Sequence, residues 1–239
     1  MSGSKQRRRS SSTSVHRPSR TGDVLAIGFA IGTAGLITHT PVQLGPILVE
    51  SIGLLMLALG AATRGRGYRL VGAGIMFAGS FGILSAVGVS VAFPGSIYER
   101  ALLCLGMLGV ATLSFGVLPI QARWSRQLLT LGTVFLSGGV VLSGVVYEAS
   151  LRLVGAAVTM MLAWDAGEQA ISLDEQVGRQ ADTRGVELVH SAGSAATGVV
   201  AIVVAAATYR FGVAEIPPLG LGFLLAAVLV LAVAIALYQ

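Results

Sequence analysis

Charge is scarce in this chain. Only 11% of its 239 residues are Asp, Glu, Lys or Arg, against about 25% in an ordinary soluble domain. A water-facing surface cannot be built from so little polarity, which excludes a soluble globular fold. Lysine is nearly missing, with Lys5 alone against fifteen arginines. Cysteine is limited to Cys104, which excludes an intrachain disulfide and any cysteine-rich metal site. Aromatic residues are few, at 6%, and both tryptophans and all five tyrosines avoid the middles of the apolar runs. The prolines from Pro41 onward fall in links or at run ends, so none breaks a run. Those middles also lack Asp, Glu, Lys and Arg, which counts against the midplane charge that ion-coupled transport uses.

What remains is apolar. Hydrophobic residues make up 54% of the chain, gathered in blocks of about 20, the length that crosses about 30 Å of hydrocarbon as a helix. The blocks carry no period-2 alternation of polar residues, so a β-barrel does not fit. The fold class expected is all-α: a polytopic transmembrane bundle of about eight spans, at 24–40, 44–62, 70–92, 101–118, 127–146, 149–164, 188–208 and 219–238. Span 6 is short and contains Arg152. It rests on the uncharged run 153–164, which ends at Trp164. Residues 1–22 form a Ser- and Arg-rich tail too polar to bury a core. The organisation expected is this basic tail at 1–22, six spans within 23–164, an acidic cytoplasmic segment at 165–187, and two spans within 188–239.

The net charge of +5 does not point to nucleic acid, because its positive residues lie in the tail and in the links. With the N-terminus inside, thirteen of the sixteen basic residues fall on one side and only Arg100, Arg152 and Arg210 on the other. Cytoplasmic links carry such an excess of Arg and Lys, so both termini are expected in the cytoplasm of a cell-membrane protein.

Six of the eleven carboxylates stand in one polar island, 164–190. Within it Ala166, Ala170, Leu173, Val177, Ala181 and Leu188 recur at helical spacing, with Glu168, Asp174, Glu175, Arg179 and Asp182 elsewhere around the helix. The expected structure is an amphipathic helix continuing from span 6 and broken near Gly185. A helix lying on anionic lipid prefers a basic polar face. This acidic one suits a protein partner, or the chain's own basic links at Arg64, Arg66, Arg123 and Arg126.

Charged groups beside the spans are candidate sites by default. Glu50, a turn inside span 2, could pair with Arg152 or Arg210, or carry a proton. Glu99 with Arg100, Glu148 with Arg152, and Arg210 with Glu215 are expected to pair locally. Glu187-Leu188-Val189-His190 is a Glu-x-x-His spacing, as in di-iron bundles, but such sites need a second copy and further glutamates on facing helices. His39 lies at the opposite membrane face from His190. No metal, cofactor or catalytic residue is therefore expected. Gly28 with Gly32, and the glycines of spans 3 and 5 (Gly72, Gly74, Gly79 and Gly82; Gly138, Gly139 and Gly144), are expected to let helices approach closely.

One segment carries a family resemblance. Trp164-Asp165-Ala166-Gly167-Glu168-Gln169, Glu175-Gln176-Val177-Gly178-Arg179, Ala181-Asp182-Thr183-Arg184 and Glu187-Leu188-Val189-His190 resemble a family of uncharacterised multi-pass membrane proteins of halophilic archaea. That family brings no known activity. The resemblance extends to genes that travel with an AAA-type ATPase and transglutaminase-like membrane proteins, which implies a component of a membrane assembly. The function expected is thus a non-enzymatic integral membrane protein that docks a partner through 165–187. The alternative is a small-solute or ion permease with Glu50 as its polar handle.

Overall fold

The computed structural model describes residues 20–118, 122–147, 150–177 and 184–210. Seven α-helices make up the described residues: α1 (Arg20–Ile37), α2 (Leu44–Gly65), α3 (Arg69–Val91), α4 (Ile97–Val117), α5 (Ser125–Val146), α6 (Ser150–Val177) and α7 (Arg184–Arg210). Short 3-10 turns at Pro41–Gln43 and Ala122–Trp124 lead into α2 and α5. No strand occurs among the described residues. The segments expected as spans 1 to 7 each overlap one of these helices, and α6 runs on past Trp164, where span 6 was expected to end, to Val177. Span 8 lies outside the described residues.

Local sequence explains where the helices stop. Gly67 sits at φ 101°, a backbone conformation open to glycine, and reverses the chain between α2 and α3. Ser96 starts α4 with a capping box: its hydroxyl accepts from the Glu99 N–H at 3.2 Å, and its own N–H donates to Glu99 Oε2 at 3.2 Å. Glu99 and Arg100 therefore do not form the local pair expected of them. Arg100 donates instead to the Gly95 carbonyl, at 3.0 and 3.2 Å.

The helices pack chiefly in three pairs: α2 with α3, α4 with α5, and α1 with α6. In the first pair Gly53 faces Gly79 and, seven residues on, Gly60 faces Gly72. A Cβ on any of the four would meet the opposing backbone at 2.6–2.9 Å. In the second, Leu136 lies over Gly109, Gly132 meets Leu113, and Leu129 lies over Gly116, while Gly106 and Gly139 both turn to Ile37 at the end of α1. Without a hydrophobic drive between helices in lipid, backbone approach at small residues is what holds such seams.

The α1–α6 seam is alanine, not glycine. Ala26, Ala30 and Ala34 are at most 1% exposed, and the Thr33 and Thr159 hydroxyls meet across it at 3.0 Å. Gly28 and Gly32 have nothing within 4 Å of a would-be Cβ. Two residues of offset on a helix is about 200° of rotation, so the GxxxG pair lies on the side of α1 away from α6. Gly74 is likewise open.

Four helices are long and apolar enough to cross a membrane: the α2 helix with its leading turn, α3, α4 and α5. The apolar stretches of α1 and α7 are shorter. The α6 helix buries one stripe, Leu153, Ala156, Ala157, Met160, Ala163, Ala166 and Ala170, against its neighbours, and leaves Leu151 and Met161 exposed. By contrast α3 shows large apolar side chains outward, with Phe77 76% and Leu70 90% exposed.

Candidate functional site

Polar side chains gather at the two ends of the bundle, and one carboxyl lies between. At the end where α1 finishes, His39 is the centre. The backbone leaves α1 at Ile37 and turns into Pro41–Gln43, which puts His39 beside the end of α5. Its ring stacks on Tyr147 with centroids 3.6 Å apart and planes 21° from parallel. Its Nε2 lies 3.2 Å from Ser143 Oγ. Tyr147 donates through its hydroxyl to Glu99 Oε1 at 3.4 Å. Gln43 locks the turn from beneath: its Oε1 accepts from the N–H groups of His39 and Thr40, at 2.9 and 3.3 Å.

Electrostatics there favour neutral rings. Burial, and then the charge of Arg152 on α6, push the His39 imidazole below its ordinary value. Burial, the Glu99 charge and its hydrogen bond push the Tyr147 phenol up. A neutral imidazole offers one donor and one acceptor nitrogen, enough to hold Ser143. Ser143 and His39 alone do not make a catalytic set, which needs a third group to orient the imidazole and an oxyanion hole.

At the other end, the first half of the polar island is packed into the bundle. Ala166, Gly167 and Ala170 are buried, with Gly167 against Leu129 and Val117. Glu168 is taken by the chain itself: Arg126 on α5 donates Nε to its Oε1 at 2.9 Å and reaches Ser172 at 3.4 Å. Of the two partners the acidic face could suit, an internal basic link answers for this residue. Asp165 accepts from Ser194 of α7 at 2.6 Å. Asp174 and Glu175 continue along α6. Arg179 and Asp182 lie outside the described residues, between α6 and α7. A new helix, α7, begins at Arg184, next to Gly185, and the residues between it and α6 lie outside the described ones. His190 belongs to the same stretch of α7.

The intramembrane candidates separate. Glu50 is buried in α2, 1% exposed, and forms no ion pair with Arg152 or Arg210. Arg152 is exposed at the start of α6. The expected partners Glu148 and Glu215 lie outside the described residues. Among the described residues no three His, Cys, Asp or Glu side chains gather as metal ligands would. Gln43, 0% exposed, and the contact of Ser143 with His39 were missed by sequence reasoning. The available signal was the cluster of Thr38, His39, Thr40 and Gln43 at a span end.

Long apolar helices packed through glycine and alanine, with polar groups confined to the ends and links, give the chain the make-up of an α-helical membrane protein. It belongs to a family of unknown function, DUF7519, which it matches over residues 80–232. That match takes in Glu99, Ser143, Tyr147 and the Arg126–Glu168 pair, and begins after His39, Gln43 and Glu50. No curated protein and no solved structure matches the chain.

Proposed function

We propose that the protein is a non-enzymatic integral component of a membrane-associated assembly in the cell membrane. Its α6 helix lifts an acidic segment out of the bilayer to meet a partner protein in the cytoplasm. The observation that carries this is that α6 is one unbroken helix of 28 residues. At about 1.5 Å per residue such a helix is about 42 Å long, against about 30 Å of hydrocarbon. Its buried stripe anchors it among α1, α5 and α7, and its last turns, with Asp174 and Glu175, extend past the anchor towards Arg179 and Asp182. The arginine bias of the links supports a cytoplasmic place for this end and for both termini, in the eight-span topology expected from the sequence. The likeness of 164–190 to membrane proteins of halophilic archaea, whose genes travel with an AAA-type ATPase, supports a partner of that kind.

Because Glu168 is held by Arg126, its reversal would disturb the fold as well as the surface. The clean test is Glu175→Lys with Asp182→Lys, purified in mild detergent from the native host. The wild type should bring down an ATPase partner. The double variant should lose it while staying in the membrane at the same level. An unchanged set of partners overturns the docking role.

A further inference from the structure

Glu50 is the most exacting side chain in the described bundle, and it stands apart from the docking surface. It lies two turns into α2, about 9 Å along the helix from its start. It is 1% exposed, and its Oε1 has no hydrogen-bond partner. Seven residues earlier, on the same face, Gln43 is 0% exposed with its Nε2 also unpartnered. That amide is not free to turn over. Its oxygen faces two backbone N–H donors, which only an oxygen can satisfy, so the NH2 group points away from them. Ile47 sits between the two on the same face and is buried.

Among the described residues, the helices packed on α2 bring no compensating charge to Glu50. Arg69 starts α3 at the opposite end of the bundle. Ser90 of α3 is spent on Val87 and on Cys104 of α4. Glu99 and Arg100 of α4 bond to the 95–96 turn and to Tyr147. Asp23 of α1 is at the far end of that helix, and His39, just past it, is engaged with Ser143 and Tyr147. An ionised carboxylate without a cation is untenable in so apolar a place. A neutral carboxylic acid is tenable, and it adds an O–H donor. Gln43 Nε2 and Glu50 Oε1 are thus separate unpartnered polar atoms on one face of the chain, about 10 Å apart along the helix axis and with Ile47 between them.

We propose that Glu50 is an internal proton-binding site that exchanges with the His39–Tyr147 end of the bundle, the end nearer to it along α2. Proton uptake and release there would couple the inside of the bundle to the pH on that side. Ile47 lies between Glu50 and that end, so its side chain must give way for exchange to occur.

The test is labelling by a lipid-soluble carbodiimide, which attacks a protonated carboxyl in an apolar setting, followed by mass spectrometry of the 44–65 peptide. Full-length protein in sodium-free liposomes should be labelled at Glu50 at acid pH, and labelling should fall several-fold as the pH is raised. Glu50→Gln should elute and melt like the wild type and lack the acid-carbonyl infrared band that the wild type loses on alkaline exchange. Three results overturn the proposal: no label at any pH in the folded protein, labelling that does not change with pH, or protection by sodium at constant pH, which makes the site a metal-cation site instead.

Discussion

His39 stands where the end of α1, the end of α5 and the start of α6 converge. It is held by stacking on Tyr147 and by Ser143 rather than by any charge pair. Its depressed titration has a consequence for stability. As the pH falls below the ordinary value of 6.5, the unfolded chain binds a proton that folded His39 resists. Stability therefore falls with pH over that window, and it levels off once folded His39 is protonated too. His39→Gln keeps a hydrogen-bonding group near Ser143 and removes the titration. Melting temperatures in detergent at about pH 5 and pH 8, the range in which histidine changes charge, should differ for the wild type and converge for the variant. A wild-type slope that survives the substitution assigns it to another group. None of this was visible along the chain, because Ser143 is 104 residues from His39. Glu50 was visible, since one carboxyl in an apolar run announces itself. Its isolation was not, because the pairings open to it depended on which links share an end of the bundle.

Helix identity was the most legible level. Spans 2 to 5 were plain because their helices present long apolar surfaces all round, and α3 has side chains such as Phe77 fully outward. The α6 helix was the hardest to read for the opposite reason. It packs against α1, α5 and α7, so it needs small residues on one stripe more than bulky apolar residues everywhere. Glycine spacing showed which helices could approach but not which glycines do. Gly72 and Gly74 are two residues apart on α3, yet only Gly72 faces α2. A methyl group at Gly72 would meet the Arg64 nitrogen and the Gly60 oxygen at 2.7 Å, both backbone atoms that cannot swing aside. Gly72→Ala should therefore push α2 from α3 and destabilise by about 1–3 kcal/mol, as overpacked cores do. Gly74→Ala meets nothing within 4 Å. It should be neutral or stabilising by up to about 1 kcal/mol, since alanine is the better helix former. Equal effects of the two in thermal or denaturant unfolding would mean that the α2–α3 register is not held by this seam.

For the whole molecule, the decisive question is whether α6 crosses. Its ends carry opposite signals. Arg152 is exposed beside the His39 cluster, whereas Glu168 is bound to Arg126 at the start of α5. Because α5 and α6 run antiparallel, the start of α5 and the second half of α6 share one end of the bundle, and the end of α5 and the start of α6 share the other. A surface pair such as Arg126–Glu168 contributes at most about 1 kcal/mol, so its role is to fix register rather than to supply stability. The buried stripe fixes how α6 packs on its neighbours, and no single exposed charge can shift it. In a Cys104→Ala background, single cysteines at Arg152 and at Glu175 should react with a membrane-impermeant maleimide from opposite sides of sealed vesicles. One at Arg66, in the α2–α3 turn, should match Glu175. If Arg152 and Glu175 react from the same side, α6 lies along the surface, the spans number seven, and the acidic segment faces away from the cytoplasm. The docking role would then fail with the topology, while the Glu50 site, which depends on α2 and its neighbours alone, would stand.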